Sequence, residues 1–336
     1  MADLWERRAA RLAALIPRDR LHPAVLAWAD ARPAREPWAL ALSGGPDSVC
    51  LLLLLLAHWP ARRKRLRALH FNHRLRGAAS AGDARFCAAL CASLGVSHAQ
   101  GAWTGPRASR SEGAARDARF AFLDAGMRPG RCRVLWLGHQ QDDVAETLLM
   151  RLTRGSGTAG LAAPRPIQDA PGGRVRLRPL LGLKKSEIIA ALRAAGVPWR
   201  EDASNRGGAH FRNRVRNGVL ARLVRASGRD ALAGAALSRE LLEEDDRALE
   251  KWTDSLHCIT PAGGLNLGRL SGAPRAVARR ALHRWVRAQP LAGDLSRKGF
   301  DGLLAAVERG SPTRFSLGPH GFAVIRAGWL RFSRRS

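Results

Sequence analysis

The stretch "WALALSGGPDSVCLLLLLLAHW", residues 38–59, joins an apolar run to a turn of small residues and then to a second, longer apolar run. The first run is typical of a buried strand, and the second is long enough for a helix. Two adjacent glycines let the backbone of the turn come close to a ligand, and the N–H groups that open a helix attract anions. This stretch therefore predicts a strand, a glycine turn and a helix that together bind an anion.

The same alternation continues through the first half of the chain. Apolar runs typical of strands cover 38–42, 66–71, 95–99 and 134–138, and helical patterns cover 47–57, 80–94, 111–126 and 142–154. Strands and helices that alternate in this way indicate an α/β fold with a doubly wound, Rossmann-like parallel sheet. Ligands bind such sheets at the carboxyl ends of the strands, so we expect the site residues directly after each strand.

The pattern becomes mainly helical after about residue 183. Helices are predicted over 184–197, 210–226, 228–256 and 274–288, and the tail after residue 312 alternates like a small β-sheet. We predict a first, α/β domain over 1–217, which includes a helical extension over 1–35. A helical linker and a mainly helical C-terminal domain, ending in a small β region, are predicted over 218–336.

The charge of the chain points to a polyanionic partner. There are 56 Lys and Arg residues against 28 Asp and Glu residues, which gives a formal net charge of +28. Most of the cations are arginine, a sign of compositional bias, yet the excess is large enough to favour nucleic acid. No signal peptide is visible, and the apolar run over 49–57 is much shorter than the roughly 20 residues of a membrane span. We therefore expect a soluble, cytoplasmic protein whose five cysteines, with no CxxC pair, are reduced thiols.

The turn "SGGPDS", residues 43–48, contains no lysine and is therefore not a Walker A loop. The hydroxyls of Ser43 and Ser48 add donors for phosphate. Asp47 would repel phosphate unless a metal lay between them, so it indicates Mg²⁺. The alternative is an ordinary strand–helix turn in which Asp47 is an acid in the first turn of the helix.

Charged groups follow the other strands as well. His73, Arg74 and Arg76 follow the second strand, and His139, Asp142, Asp143 and Glu146 follow the fourth. Asp143 and Glu146 share a helical face, which suggests a pocket for Mg²⁺ or an ammonium group, although carboxylates also stabilise a helix start.

Two arginine groups also have open interpretations. Arg116 lies four residues after Glu112 and either forms an exposed pair with it or reaches a nucleotide. Arg212, Arg214 and Arg216 form a basic helix that either contacts phosphate or is simply solvated.

Several blocks together resemble one family. The turn resembles the pyrophosphate loop of the PP-loop ATP pyrophosphatases. With "NHRLR" (72–76), "EGAARDARF" (112–120) and "GHQQDDVAETLLMRLTRGSGTAGLA" (138–162), the chain resembles the tRNA(Ile)-lysidine synthetases. The resemblance continues through "RPLLGLKKSEI" (178–188) and "WREDASNRGGAHFRNRVRNGVL" (199–220), and covers about residues 38–220.

The resemblance implies a reaction and a role for each group. ATP would adenylate the oxygen on carbon two of the wobble cytidine in tRNA(Ile) with a CAU anticodon, and free L-lysine would then displace AMP. It implies that Asp143 and Glu146 bind lysine and that Asp47 holds Mg²⁺. ATP and its pyrophosphate would contact Ser43, Gly44, Gly45, Pro46, Asp47, Ser48, His73, Arg116 and His139. The phosphates of tRNA would contact Arg212, Arg214 and Arg216.

Catalysis would depend on Asp47, Arg116, Asp143 and Glu146, and the region over 218–336 would bind tRNA. No membrane partner is expected, and a homodimer is left open. Alternative functions are a PP-loop tRNA 2-thiolation enzyme and a non-catalytic RNA-binding module. A cytidine-thiolating enzyme would use CxxC cysteines, which this chain lacks. An amidotransferase of the PP-loop type would need a glutaminase nucleophile, and no such pattern is visible.

Overall fold

The computed structural model describes residues 2–73, 78–105, 112–201, 211–289 and 295–335, and contains two compact units, Met1–Leu241 and Leu242–Ser336. The first unit extends beyond residue 217, where we predicted the domain boundary. Its later residues are held by contacts with earlier ones. Lys184 is hydrogen-bonded to Asp230, and the imidazole of His22 lies 4.0 Å from the carboxylate of Glu240.

The first unit contains a six-stranded sheet in the order β3-β2-β1-β4-β6-β5. All its neighbours are parallel except the edge pair of β5 and β6. The strands are β1 (Trp38–Ala41), β2 (Leu66–Asn72), β3 (Ser97–Ala102), β4 (Val134–Trp136), β5 (Ile167–Ala170) and β6 (Arg174–Leu177). The predicted α/β class with a parallel, doubly wound sheet is confirmed. The antiparallel edge was not predicted.

The helices of the first unit follow the predicted alternation. They are α1 (Ala2–Leu15), α2 (Pro23–Asp30), α3 (Pro46–His58), α4 (Ala78–Leu94), α5 (Glu112–Met127), α6 (Gln141–Leu152), α7 (Thr158–Leu161), α8 (Lys185–Ala194), α9 (Phe211–Arg214) and α10 (Ala221–Ala226). A π-helical turn, Val215–Leu220, joins α9 to α10. The helix α11 (Ala231–Ser255) contains the boundary between the two units.

The core of the first unit forms around β1 and α3. Every residue of α3 from Ser48 to Leu56 is buried, as a helix between a sheet and other helices requires. Trp38 of β1 packs against Trp136 of β4 with ring centroids 4.7 Å apart, and against Trp59 at 5.7 Å. This packing fixes the turn after β1 to a rigid base, which matters for a site that must hold its geometry.

The second unit contains two helices and a small antiparallel sheet. The helices are α12 (Arg275–Arg287) and α13 (Arg297–Arg309), and the strands are β7 (Leu265–Asn266), β8 (Thr313–Ser316), β9 (Gly321–Arg326) and β10 (Trp329–Arg334). The sheet order is β7-β10-β9-β8, and its buried side chains pack with Trp285 and Leu303. Within the described parts of the chain, no helix has the length and apolar character to cross a bilayer.

Candidate active site

A cavity of about 340 Å³ opens where β1, β2 and β4 end. This is the edge of the sheet at which parallel strands present their carboxyl ends and bind ligands. The polar residues that line it are Ser43, Asp47, Ser48, His73, Arg119, His139, Asp143, Lys185, Arg212, Asn213 and Arg216. The structure therefore brings residues from all six of the quoted sequence blocks to one place.

The glycine turn is closed by its own serines. Gly44 has a φ of +86°, a conformation that glycine adopts without strain. The backbone N–H of Ser43 donates to the hydroxyl of Ser48 at 3.1 Å, and that hydroxyl donates to the carbonyl of Gly45 at 3.0 Å. The two hydroxyls lie 3.0 Å apart. They shape the turn in this structure, so the N–H groups at the start of α3 are its main donors for an anion.

Asp47 has the chemistry of a magnesium ligand. Its Oδ1 is buried without a hydrogen-bond partner among the described residues, and burial raises the pKa of the carboxyl to about 6. A hard oxygen with unused lone pairs suits Mg²⁺, which proteins often bind through one carboxylate together with substrate phosphates and water. The described residues contain no group of three or more His, Cys, Asp or Glu side chains able to hold a metal. At the glycine turn, Asp47 would hold Mg²⁺ together with phosphate oxygens of the substrate.

Gly138 is a site residue to which we gave no role from the sequence. A Cβ added to Gly138 would lie 2.9 Å from the carbonyl oxygen of Asp47 and 3.2 Å from the backbone nitrogen of Ser48. Real Cβ atoms do not approach backbone so closely, so the chain after β4 can pass the start of α3 only with glycine here. This close approach places His139 beside the glycine turn.

The carboxylates that open α6 are partly used in capping it. The backbone N–H of Gln140 donates to Asp143 Oδ2 at 3.1 Å, which satisfies a donor at the helix start. Asp142 accepts a hydrogen bond of 3.0 Å from the backbone N–H of Lys185 and so fixes α8 to α6. The capping alternative therefore describes part of what Asp142 and Asp143 do.

The acidic pair and the basic helix meet in one ion cluster. Arg212 donates to Asp143 at 2.6 Å and to Glu146 at 2.7 Å. Arg216 donates to both oxygens of Glu146. Glu146 is fully buried, and a buried carboxylate needs such partners to remain charged. The two cations and two anions balance each other in this structure, while their predicted contacts with lysine and tRNA stay predictions.

His139 is held by an arginine that follows β6. The Nε of Arg178 donates to His139 Nδ1 at 3.2 Å, and its other nitrogens donate to the carbonyl of Arg165 and to Gln168. A ring nitrogen that accepts carries no proton, so Nε2 of His139 holds it. Burial and the cation of Arg178 both hold the pKa of His139 well below its ordinary value. His139 is thus a neutral donor in the cavity wall.

Arg119 lines the cavity one helical turn after the predicted Arg116. Its Nε is buried without a hydrogen-bond partner among the described residues. Burial, with the neighbouring Arg116 and Arg212, lowers the pKa of Arg119 to about 10, so it is still a cation at neutral pH. A half-buried guanidinium with an unused donor is suited to bind phosphate oxygens.

Other predicted residues lie outside the lining of this cavity. Arg116 is exposed, with its guanidinium carbon 5.2 Å from the ring of Phe120, and its nucleotide role stays a prediction. Arg214 is exposed, with its guanidinium carbon 5.7 Å from the ring centroid of Phe211. Arg74 and Arg76, and the side chain of Glu112, lie outside what the structure describes.

Four residues were missed although three of the blocks quoted above contain them: Arg119, Gly138, Arg178 and Lys185. A pattern of strand ends cannot select them, since Arg119 lies in the middle of a helix and Lys185 opens a helix far from β1. The spacing of Arg116 and Arg119 on one side of α5 was the one available signal for Arg119.

A family model and curated relatives of this chain point to one family. A family model of the PP-loop domain matches residues 23–236. The tRNA(Ile)-lysidine synthase of Solibacter usitatus is 38% identical over 279 residues, which cover 81% of this chain and 61% of that protein. The tRNA(Ile)-lysidine synthase of Salinispora arenicola is 36% identical and is covered over 89% of its length, with 88% of this chain.

The fold has a counterpart among solved structures. The tRNA thiolase NcsA from Methanococcus maripaludis superposes with a TM-score of 0.53 at 18% identity, over 72% of this chain and 80% of that one. This likeness concerns the fold alone. The chain spans about three fifths of the length of the first curated relatives it matches. On the family model and on these relatives, this chain belongs to the PP-loop family of tRNA(Ile)-lysidine synthases.

Proposed function

We propose that this protein uses ATP to join free L-lysine to carbon two of the wobble cytidine of tRNA(Ile) with a CAU anticodon. The observation that carries the proposal is the joining, in one cavity, of the glycine turn and the unpartnered carboxylate oxygen of Asp47 with a cationic wall. A triphosphate needs all three: backbone donors, a metal ligand and fixed positive charge. Family membership supplies the choice of nucleoside and amino acid.

In the first step, the oxygen on carbon two of the cytidine attacks the α-phosphorus of ATP. The bond from that phosphorus to the bridging oxygen breaks, and its electron pair leaves with pyrophosphate. The N–H groups at the start of α3 and the guanidinium of Arg119 are positioned to stabilise the charge that develops on these oxygens. Mg²⁺, when held by Asp47, would neutralise further phosphate charge.

In the second step, the ε-ammonium of lysine gives a proton to water, and the amine so formed attacks carbon two. The bond from that carbon to the adenylated oxygen breaks, and AMP leaves with its electron pair. We propose that the lysine ammonium is first bound by Asp143 and Glu146. Both oxygens of Glu146 already accept from Arg212 and Arg216, so lysine would have to take the place of a guanidinium. Binding of lysine and rearrangement of α9 would then be linked.

The cysteines of this chain do not favour the alternative function, tRNA 2-thiolation. All five are free and buried. Burial raises the pKa of Cys87 and of Cys91 to about 12, and also raises that of Cys132 and Cys258. A sulfur-transferring cysteine must reach the thiolate form near neutral pH and must be accessible.

The test is incorporation of ¹⁴C-lysine into a tRNA(Ile) transcript with a CAU anticodon, in the presence of ATP and Mg²⁺. We expect one lysine per transcript and an equal amount of AMP. The same transcript with a GAU anticodon should take up none. Asp47→Ala should abolish AMP formation while circular dichroism shows an intact fold. AMP release without lysine incorporation, or sulfur incorporation from a donor, would exclude the proposed reaction.

A further inference from the structure

The glycine turn contains no cation, but a lysine from another element stands beside it. Residues 43–48 include neither lysine nor arginine, although a pyrophosphate group would bring several negative charges to the turn. The ammonium of Lys185, the first residue of α8, lies 3.7 Å from Asp47 Oδ2 and lines the same cavity. The fold thus supplies from α8 the charge that the turn lacks.

The ammonium of Lys185 is available to a ligand. Its separation from Asp47 is longer than a hydrogen bond, so the three N–H groups of the ammonium are not committed to that carboxylate. Asp47 is the one carboxylate within 4.0 Å of it among the residues the structure describes. Its backbone is fixed by the hydrogen bond to Asp142. The side chain is half-buried, which strengthens its attraction for an anion.

The neighbouring Lys184 differs in what its ammonium contacts, although its side chain is half-buried to a similar degree. Its side chain is hydrogen-bonded to Asp230, and Lys184 does not line the cavity. Two adjacent lysines therefore have separate roles, one connecting α8 to the residues before α11 and the other facing the turn. This pair offers a matched control.

We propose that Lys185 is a catalytic residue that binds the pyrophosphate part of ATP and neutralises the charge left on it when its bond to the α-phosphorus breaks. The inference rests on the proposed use of ATP. Lys185 transfers no proton in this role, and its contribution is positive charge and N–H donors at the leaving oxygens. It acts beside Asp47 and completes a turn that differs from a Walker A loop in having no lysine of its own.

A simpler role for Lys185 is to act only as a counterion for Asp47. The two roles separate when Asp47 is made neutral, because a counterion then has no charge left to balance. A direct contact with pyrophosphate would persist in Asp47→Asn. This double-mutant design isolates the lysine from the carboxylate.

The experiment is calorimetric titration of the full-length protein with inorganic pyrophosphate in EDTA, comparing Asp47→Asn with Asp47→Asn/Lys185→Met. We expect the added Lys185→Met change to weaken pyrophosphate binding roughly ten- to a hundred-fold, which is the effect of one lost charge-assisted hydrogen bond. Asp47→Asn/Lys184→Met should bind like Asp47→Asn. Asp47→Asn/Lys185→Arg should recover part of the affinity, which a misfolded protein would not do.

Equal affinities for Asp47→Asn and Asp47→Asn/Lys185→Met would overturn the inference and leave Lys185 a counterion. An equal loss in the Lys184 variant would also overturn it, by showing a general effect of charge. Neither tRNA nor lysine takes part in this titration. The result is therefore distinct from a failure of the proposed ligase reaction, which the incorporation assay reports.

Discussion

At the scale of single residues, the most informative group is the carboxylate of Asp47. It lies at the start of α3, where a helix favours negative charge, yet burial raises its pKa from 3.8 to about 6. The protein keeps a charged oxygen where charge is costly. Such a cost is common at functional sites, because the group is placed for its ligand and not for stability.

We expect Asp47→Asn to stabilise the protein at pH 8 and to leave its stability unchanged at pH 4. A raised pKa means that the folded state binds the proton more tightly than the unfolded state between pH 4 and pH 6. The free energy of unfolding therefore falls as pH rises through this window, by about 3 kcal/mol at most. Asparagine has no such charge. Thermal unfolding of both proteins at the two pH values measures the difference.

Added Mg²⁺ provides the control for that measurement. Mg²⁺ should raise the melting temperature of the wild-type protein at pH 8 and have little effect on Asp47→Asn. An equal stabilisation of both proteins would place the metal elsewhere. A melting temperature of Asp47→Asn below that of wild type at pH 8 would contradict the burial argument.

At the scale of elements, α6 and the basic helix α9 with its π-helical turn form one electrostatic unit. The carboxylates come from α6, and the guanidiniums come from residues far along the chain. π-Helical turns are rare in proteins, and those that occur are often found at functional sites. Here such a turn covers Val215–Leu220. The ion cluster therefore connects the cavity to an irregular helix, so a ligand that competes for these carboxylates would also change how α9 is held.

We expect Glu146→Gln to lower stability and to weaken lysine binding. The neutral side chain leaves Arg212 and Arg216 with less opposing charge, which costs up to about 3 kcal/mol because the guanidiniums are partly exposed. If Glu146 binds the lysine ammonium, the apparent lysine constant should rise about ten- to a hundred-fold with the ATP constant unchanged. Urea unfolding and separate titrations of lysine and ATP measure the two effects.

Asp124→Asn is the matched control for that change. Asp124 of α5 forms an ion pair of 3.3 Å with Arg174 of β6, and neither residue lines the cavity. It should leave both apparent constants as in wild type. If Glu146→Gln loses stability while lysine titrates normally, the cluster is structural. A rise confined to ATP would assign the carboxylate to the metal.

At the scale of the whole molecule, positive charge is concentrated at the end of the chain. Residues 309–336 contain six arginines and no Asp or Glu. Strand pairing places Arg314 and Arg331 on either side of Val324, which lies on the strand between theirs. The side chains of this row lie on the face of the sheet opposite the buried Ala323, Ile325 and Leu330. The guanidinium of Arg314 lies 3.8 Å from the ring centroid of Phe322 on that face. Arginine beside aromatic rings is a surface that fits RNA.

We expect this face of the sheet to bind tRNA phosphates. Arg314→Glu/Arg331→Glu should weaken tRNA binding and make its salt dependence less steep, by about 0.7 to 0.9 per lost contact in the slope of log affinity against log salt. ATP binding should not change. Filter binding of tRNA at several salt concentrations measures the slope. Arg297→Glu, at an exposed arginine near Asp301, is the control.

If the slope of log affinity against log salt for Arg314→Glu/Arg331→Glu equals that of wild type, this face of the sheet does not contact tRNA. A tRNA affinity independent of salt in the wild-type protein would show that the +28 charge is compositional bias.

The sequence alone determined the parallel sheet, the turn at 43–48 and the edge where the site lies. These follow from local rules: the length and spacing of apolar runs, the conformational freedom of glycine and the rule that ligands bind at strand ends. The N-terminal helical extension and the β tail were also readable, because apolar periodicity is a local signal. The antiparallel strands β5 and β6 were missed because their short runs, "IQDA" and "RVRL", contain few apolar residues.

Only the tertiary structure decided which charged groups meet. Asp143 and Glu146 read as an open acidic pocket, and Arg212 and Arg216 read as a basic surface, because a charge in the sequence does not reveal its partner. Folding pairs them, since a buried carboxylate such as Glu146 is stable as an anion only beside cations. The same holds for Lys185 at Asp47 and for Arg178 at His139, where the partners lie on elements distant in the chain. Local sequence patterns determine the helices and strands, whereas the ion pairs form only when folding brings distant charged side chains together.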